Sequence, residues 1–256
     1  MKDLIKLGSK TAKAGFKNED FVINSFNNWN NDHLAKSWLE VMSYNLEEVE
    51  YVQAQKIKGS FKSDVQVEIR ISIKLKNLTD IQNIQVKLVS NKQGFNQIDK
   101  RWVDKYQELW NIPDEISKLL KHFSGEIPPY IKNSKNKKRM YANEFLENDQ
   151  KILLNFLNQH KTLIVSDILK GRGKFAAEWM LVVLRIDKKK LNWALKPINF
   201  VLNHYGNGEI KITDRGSFKI GKITMQRKGG DRGRATAGML QFKINPCEII
   251  DIVNKN

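Results

Sequence analysis

Apolar and polar positions change period several times along the chain. From Val65 to Leu75 every odd position is apolar (Val65, Val67, Ile69, Ile71, Ile73, Leu75) and every even position polar. That alternation predicts a strand with one buried face. A polar turn, Lys76 to Asn83, follows, and Ile84, Val86 and Leu88 then alternate with Gln85, Lys87 and Val89. The two strands are expected to pair as an antiparallel hairpin. Helical spacing governs Lys10 to Tyr44, through Phe16, Phe21, Val22, Phe26 and Trp29, then Leu34, Trp38, Val41 and Met42. It returns over Gln97 to Trp110. Pro113-Asp114-Glu115 opens another helix, with Pro and acids suited to a first turn. Pro128-Pro129 breaks the chain, and Lys132 to Arg139 carries five cations and no acid in what reads as a mobile loop. Asn143 to Asn158 reads as helix. Thr162 to Leu169 and Ala177 to Ile186 read as strands around Lys170-Gly171-Arg172-Gly173-Lys174, a turn whose glycines and cations could approach a phosphate. Lys190 to Tyr205 reads as a helix stopped at Gly206. Strands are predicted over Glu209–Thr213, Phe218–Gln226 and Met239–Ile244, and a short helix after Pro246. The pattern predicts a mixed α/β (α+β) fold, a central mixed β-sheet flanked by helices.

Composition narrows the function. The chain has 256 residues, 41% of them hydrophobic, and a formal net charge of +16. It is long enough for a real core and too apolar for a disordered basic tail. A single cysteine, Cys247, excludes a disulfide framework and a cysteine-rich zinc site. The longest strongly apolar run, Trp179 to Leu184, is too short to cross a membrane. The opening MKDLIKLGSK lacks the apolar core of a secretory signal. The expectation is a cytoplasmic protein with a polyanionic partner, nucleic acid before a membrane surface. Cations are divided unevenly, with 35 Lys and 9 Arg, and four of the nine Arg fall between Arg215 and Arg234. Arginine can pair bidentately with guanine, so this cluster either reads bases or reflects chance in a short window.

The hairpin carries the candidate chemistry. Asp64 heads the first strand, and Gln85 and Lys87 share one face of the second. Asp64 offers an anionic oxygen and Gln85 a neutral carbonyl oxygen, ligands that suit Mg²⁺. Lys87 could position a water and offset phosphate charge, the needs of phosphodiester hydrolysis. Spacing alone equally allows ordinary polar residues on a solvated strand face. The four histidines, His33, His122, His160 and His204, are isolated, and no i, i+4 pair or His-Cys cluster is present to build a zinc site. No Walker A loop occurs.

Ser63-Asp64 followed by Gln85-Val86-Lys87 resembles the active-site signature of the PD-(D/E)xK nuclease superfamily, with Gln85 where most members carry an acid. The segments LGSKTAKAGFKNE, IQVKLVSNKQGFNQIDKRW, ILKGRGKFAAEW and QRKGGDRGRATAGMLQFK look like those of small type II restriction endonucleases that cut at GCGC (the HinP-one-I type), from near Leu7 to near Ile252. The resemblance implies one restriction endonuclease domain over residues 1–256, with a catalytic core over about 10–125 and a DNA-recognition part over about 160–245. It implies Mg²⁺-dependent cleavage of double-stranded DNA after the first G of GCGC, leaving two-base 5′ overhangs. Asp64, Gln85 and the Val86 carbonyl would hold the metal, and Lys87 would be the catalytic lysine. Ser63 would support the site, and Glu19 would hold a water or serve as a surface helix acid. Phe95 would wedge between bases from the minor groove, with Gln97 and Lys100 as groove contacts. Gln226, Arg227, Lys228, Asp231, Arg234, Gln241 and Lys243 would supply recognition, since cations suit guanine and an acid can accept from cytosine N4.

The same residues leave two alternatives. One is a DNA-binding protein without catalysis, which the Asp64, Gln85 and Lys87 set argues against. The other is a repair or structure-selective nuclease, which the Arg-rich segment and Phe95 argue against. A restriction enzyme also implies a host methyltransferase for the same site. Its palindromic target is compatible with a monomer or a weak homodimer.

Overall fold

Helical spacing near the start of the chain becomes two helices, α1 (residues 19–27) and α2 (His33–Val41). The computed structural model describes residues 19–59, 62, 64–73, 76–185, 191–229 and 235–253. Lys10 to Asn18, with Phe16, lie outside the described residues. Strands β1 (Val49–Lys56), β2 (Val65–Ile73), β3 (Lys76–Val89) and β4 (Asn96–Arg101) come next. Helices α3 (Val103–Trp110), α4 (Asp114–Ser124), α5 (Glu147–Gln159) and α6 (Lys161–Leu169) follow them. The remainder is β5 (Trp179–Arg185), β6 (Leu191–Pro197), α7 (Ile198–Gly206), β7 (Ile210–Ile212), β8 (Phe218–Ile220), β9 (Ile223–Arg227), β10 (Leu240–Ile244) and α8 (Cys247–Val253).

The chain divides into two compact units, each built from separated segments. The first comprises residues 1–94, 170–201 and 245–256. Its five-stranded sheet runs β1-β2-β3-β5-β6 and is mixed, with β3 and β5 parallel and the other neighbours antiparallel. Strand alternation decides what each face does. Val65, Val67, Ile84, Val86, Leu181, Val183 and Leu195 join one core with Val22, Phe26, Trp38 and Leu39 of α1 and α2. Trp38 is its centre, fully buried, with Phe26 at 5.2 Å and Trp193 at 6.2 Å between ring centroids. Asp32 starts α2 from an extended backbone, and its carboxylate accepts the N–H groups of Leu34 and Ala35 at 2.9 and 3.1 Å. Such a cap contributes about 1 kcal/mol. On the other face β3 carries Gln85, Lys87 and Val89 beside the buried Met180, Val182 and Leu184 of β5.

The second unit, residues 95–169 and 202–244, has an antiparallel sheet in the order β4-β10-β9-β8-β7. Tyr106 and Trp110 of α3 stack at 4.6 Å and pack edge-on against Phe242 of β10. Phe123 of α4 meets Phe218 of β8 at 5.0 Å. Burial raises the pKa of the Tyr106 phenol and the Asp99 charge raises it further, so the hydroxyl stays protonated and donates to Asp99 at 2.6 Å.

The mixed α+β class and the hairpin follow the hydrophobic pattern, but several elements differ from it. The polar Lys76–Asn83 stretch is strand: β2 and β3 pair continuously from Ile73↔Lys76 to Val65↔Ile84. Backbone ladders do not require apolar side chains. Thr162–Leu169 is helix. Ile164, Val165, Ile168 and Leu169 are its buried face, a spacing that β-branched composition disguised as strand. Gln97 to Arg101 is strand, and helix begins only at Val103. Lys190–Tyr205 splits at Pro197 into β6 and α7, with Gly206 ending the helix as expected. The basic segment 132–139 is tied down by Glu144. Its carboxylate accepts the N–H of Lys135 at 2.6 Å and of Tyr141 at 2.7 Å. The chain has a second, antiparallel sheet in addition to the expected mixed one, and β5 and β6 belong to the mixed sheet.

Trp38→Ala is expected to destabilise the first unit by about 3–5 kcal/mol, the usual cost of emptying an aromatic site in a core. Urea denaturation followed by tryptophan fluorescence and circular dichroism reads this directly.

Candidate active site and nucleic-acid face

Asp64 is held by backbone on both sides. Its N–H donates to Ile84 O at 3.0 Å, and its carbonyl accepts from Ile57 N at 3.1 Å. Its carboxylate Oδ2 accepts the Val86 N–H at 2.8 Å, and Lys87 Nζ lies 3.9 Å from the same oxygen. Gln85 is 2% exposed. Its Nε2 donates to Lys62 O at 3.2 Å, which fixes which way the amide faces. Its Oε1 is buried with no hydrogen-bond partner among the described residues. Leaving a buried acceptor unmet costs about 1–3 kcal/mol. A ligand-seeking oxygen oriented by its own amide, next to a carboxylate, fits a hard divalent cation. Asp64 and Gln85 are the side chains that could hold one.

Glu19 at the start of α1 belongs to the same electrostatic neighbourhood. Burial pushes its carboxyl above the ordinary value. The charge of Asp64 adds to this, while Lys56 and Lys87 oppose it. Lys56 forms an ion pair with Glu19. Lys56 and Lys62 are the two participants that the sequence did not suggest. No linear motif carries them. Lys56 pairs with Val65 in the β1/β2 register, next to Asp64, and Lys62 acts through its carbonyl. Ser63 lies outside the described residues.

The proposed DNA contacts fall in the second unit. Phe95 is 50% exposed, with Lys219 Nζ 5.3 Å from its ring centroid. A turn delivers it, with Gly94 N donating to Asn91 O at 3.1 Å. Gln97 and Lys100 are both exposed, whereas strict alternation would set them on opposite faces. The register shift between Phe242↔Asp99 and Lys243↔Gln97 accounts for this, a bulge re-aiming the strand. Gln226, Arg227, Lys228 and Lys243 are all partly exposed. Arg227 is anchored, its Nε donating to Ala237 O at 2.9 Å, and burial together with the nearby Arg139 lowers its pKa. Gln241 is 3% exposed, and its Nε2 donates to the carbonyls of Arg227 and Lys228 at 3.4 and 3.3 Å. In this structure it supports the loop after β9 from behind. Asp231 and Arg234 lie outside the described residues.

The carboxylate, amide and lysine lie together at one end of a mixed sheet, on a restriction-endonuclease-like fold. The R.HinP1I restriction endonuclease family model matches residues 42–250, and the chain belongs to that family of type II restriction endonucleases. The fold is also similar to the restriction endonuclease MspI, solved in complex with its cognate DNA. The TM-score is 0.61 at 15% identity, covering 88% of this chain and 87% of that one. No curated protein sequence matches the chain. Among the described residues no helix is long and apolar enough to cross a membrane.

Gln85→Met keeps the buried volume and removes the unmet oxygen. Its folding stability is expected to stay within about 1 kcal/mol of the parent, because a lost hydrogen bond offsets a removed penalty. DNA cleavage is expected to disappear. A thermal melt beside a plasmid digest checks both.

Proposed function

We propose that the enzyme hydrolyses double-stranded DNA at GCGC with Mg²⁺, cutting after the first G to leave two-base 5′ overhangs. The single observation that carries the metal-dependent part is the buried Gln85 Oε1, without a hydrogen-bond partner among the described residues, on the residue next to the Val86 N–H that holds the Asp64 carboxylate. In this reading Asp64, Gln85 and the Val86 carbonyl hold the cation. When bound there, the cation supplies Lewis-acid stabilisation of the charge that builds on the phosphate.

The chain's own groups do the rest. The Val86 N–H holds Asp64 in place, and the Lys62 carbonyl accepts from the Gln85 amide nitrogen, which leaves its oxygen as the available acceptor. Lys87 can hydrogen-bond a phosphate oxygen or orient the attacking water, with its ammonium kept near by Asp64. Glu19 can hold a water, and Ser63 supports the site. A neutral Gln in place of the usual acid lowers the negative charge of the site, so weaker cation affinity is expected than with two carboxylates.

Recognition is assigned to the second unit. Half-exposed Phe95 is suited to wedge between bases, with Gln97 and Lys100 alongside. Arg227, Lys228, Asp231 and Arg234 supply the chemistry that guanine and cytosine edges require, and Gln226 and Lys243 flank them. Gln241 contributes by holding the loop. A host carrying this enzyme needs a methyltransferase acting on the same sequence.

A plasmid digest with Mg²⁺ is expected to give discrete fragments ending at GCGC. Smearing without sequence dependence, or no cutting, contradicts the reading. Asp64→Ala is expected to abolish cleavage while retaining GCGC binding in Ca²⁺, measured by gel shift. Cleavage that survives this substitution removes Asp64 from the centre.

A further inference from the structure

We propose that the loop Lys170–Lys174 is a phosphodiester-binding site that holds the DNA backbone beside the catalytic residues. This rests on the nuclease reading above but assigns a role to residues outside the catalytic and recognition sets. The loop contributes Lys170, Arg172 and Lys174 within five residues, and Arg172, Gly173 and Lys174 are exposed.

Its backbone is tied to the catalytic strands at two places. Gly171, at φ +77°, lies so close to Lys62 that an added Cβ would fall 2.9 Å from Lys62 Cβ. Lys62 is the residue whose carbonyl fixes the Gln85 amide. Farther along, the Lys174 carbonyl accepts from Asn83 Nδ2 at 3.0 Å. Asn83 is 7% exposed and stands two residues before Gln85 on β3. Its Oδ1 in turn accepts from Gln66 of β2 at 3.1 Å.

The loop also closes on itself, with Ala177 N donating to Lys170 O at 2.8 Å and Ala176 N to Gly173 O at 2.9 Å. Carbonyls are therefore spent inward while cationic side chains stand at the surface. Lys174 Nζ rests 4.8 Å from the Phe175 ring centroid, which limits the wandering of its charge. Glu178, four residues after the loop, accepts the Asn83 N–H at 2.7 Å. Gly173, at φ +74°, has nothing within 4 Å of where a Cβ would sit, so a ligand can come close to the backbone there. A cationic loop braced against the strand that carries Gln85 and Lys87 can thus fix where the bound strand lies relative to them. Arg172 and Lys174 are positioning residues, not catalytic ones.

The test uses the full chain and two labelled duplexes, one containing GCGC and one lacking it, with affinities measured by anisotropy in Ca²⁺ between about 50 and 200 mM salt. For Arg172→Gln with Lys174→Gln, the slope of log affinity against log salt is expected to become shallower by about 1.8 on both duplexes, two phosphate contacts at about 0.9 each. The ratio of affinities for the two duplexes is expected to hold. Arg172→Lys with Lys174→Arg is expected to keep the parent slope. Gly171→Ala, which must push the loop off Lys62, is expected to slow single-turnover cleavage of the GCGC duplex more than it weakens binding. An unchanged slope in the Gln pair, or an equal loss in the charge-preserving pair, overturns the proposal. A parent enzyme that binds duplex DNA but does not cut at GCGC contradicts the functional reading alone, because the slope is scored without cleavage.

Discussion

The structure of the site depends on one hydrogen bond, from the Val86 N–H to the Asp64 carboxylate at 2.8 Å. Asp64 comes from the segment leading into β2 and Val86 from the middle of β3, so this bond fixes the end of one strand against a chosen point on the next. Because successive residues alternate faces, everything else follows from that register. Val86 turns into the core with Ile84, and Gln85 and Lys87 turn to the opposite face. A slip of one residue would bury Lys87 among the apolar residues around Trp38 and move the valine to the face that carries Gln85. The apolar core beneath the sheet therefore enforces the chemistry above it.

The second constraint is the orientation of the Gln85 amide. A glutamine can place either its NH₂ or its oxygen toward a site, and only the oxygen can bind a cation. The Lys62 carbonyl decides the matter by accepting from Nε2. The cost is a buried oxygen with no hydrogen-bond partner among the described residues. Glu19 and Lys56 extend the same charged neighbourhood, with burial raising the Glu19 pKa while two lysines restrain it.

Period-two alternation made the 65–89 hairpin legible from the chain alone, and with it the shared face of Gln85 and Lys87; their catalytic role was implied by the family resemblance rather than by spacing. Helices α1, α2, α4 and α5 were legible for the matching reason at period 3.6. Misreadings fell where local composition and tertiary role diverge. Ile164, Val165 and Ile168 have the composition of a strand, yet they bury one side of α6. Gln97 to Arg101 carries too few apolar residues to announce a strand, and it becomes one by pairing with β10. The bulge opposite Phe242 and the inward turn of Gln241 both depend on that pairing, so neither could be read from spacing. Lys56 and Lys62 act through register and a carbonyl, which leave no mark on side-chain pattern. The +16 charge pointed to a polyanionic partner, and the structure places some of the cations: Lys87 near the Asp64 carboxylate, Arg227 anchored on the Ala237 carbonyl, and Lys174 in a loop bonded to Asn83 of β3.

The claim that Gln85 and Asp64 together form a cation site is tested most directly by a crystal of the protein grown with Mn²⁺ and measured at the manganese absorption edge. The expected result is an anomalous peak within bonding distance of both Gln85 Oε1 and the Asp64 carboxylate. A peak held by other residues, or full Mn²⁺ occupancy in crystals of Gln85→Met, would contradict it.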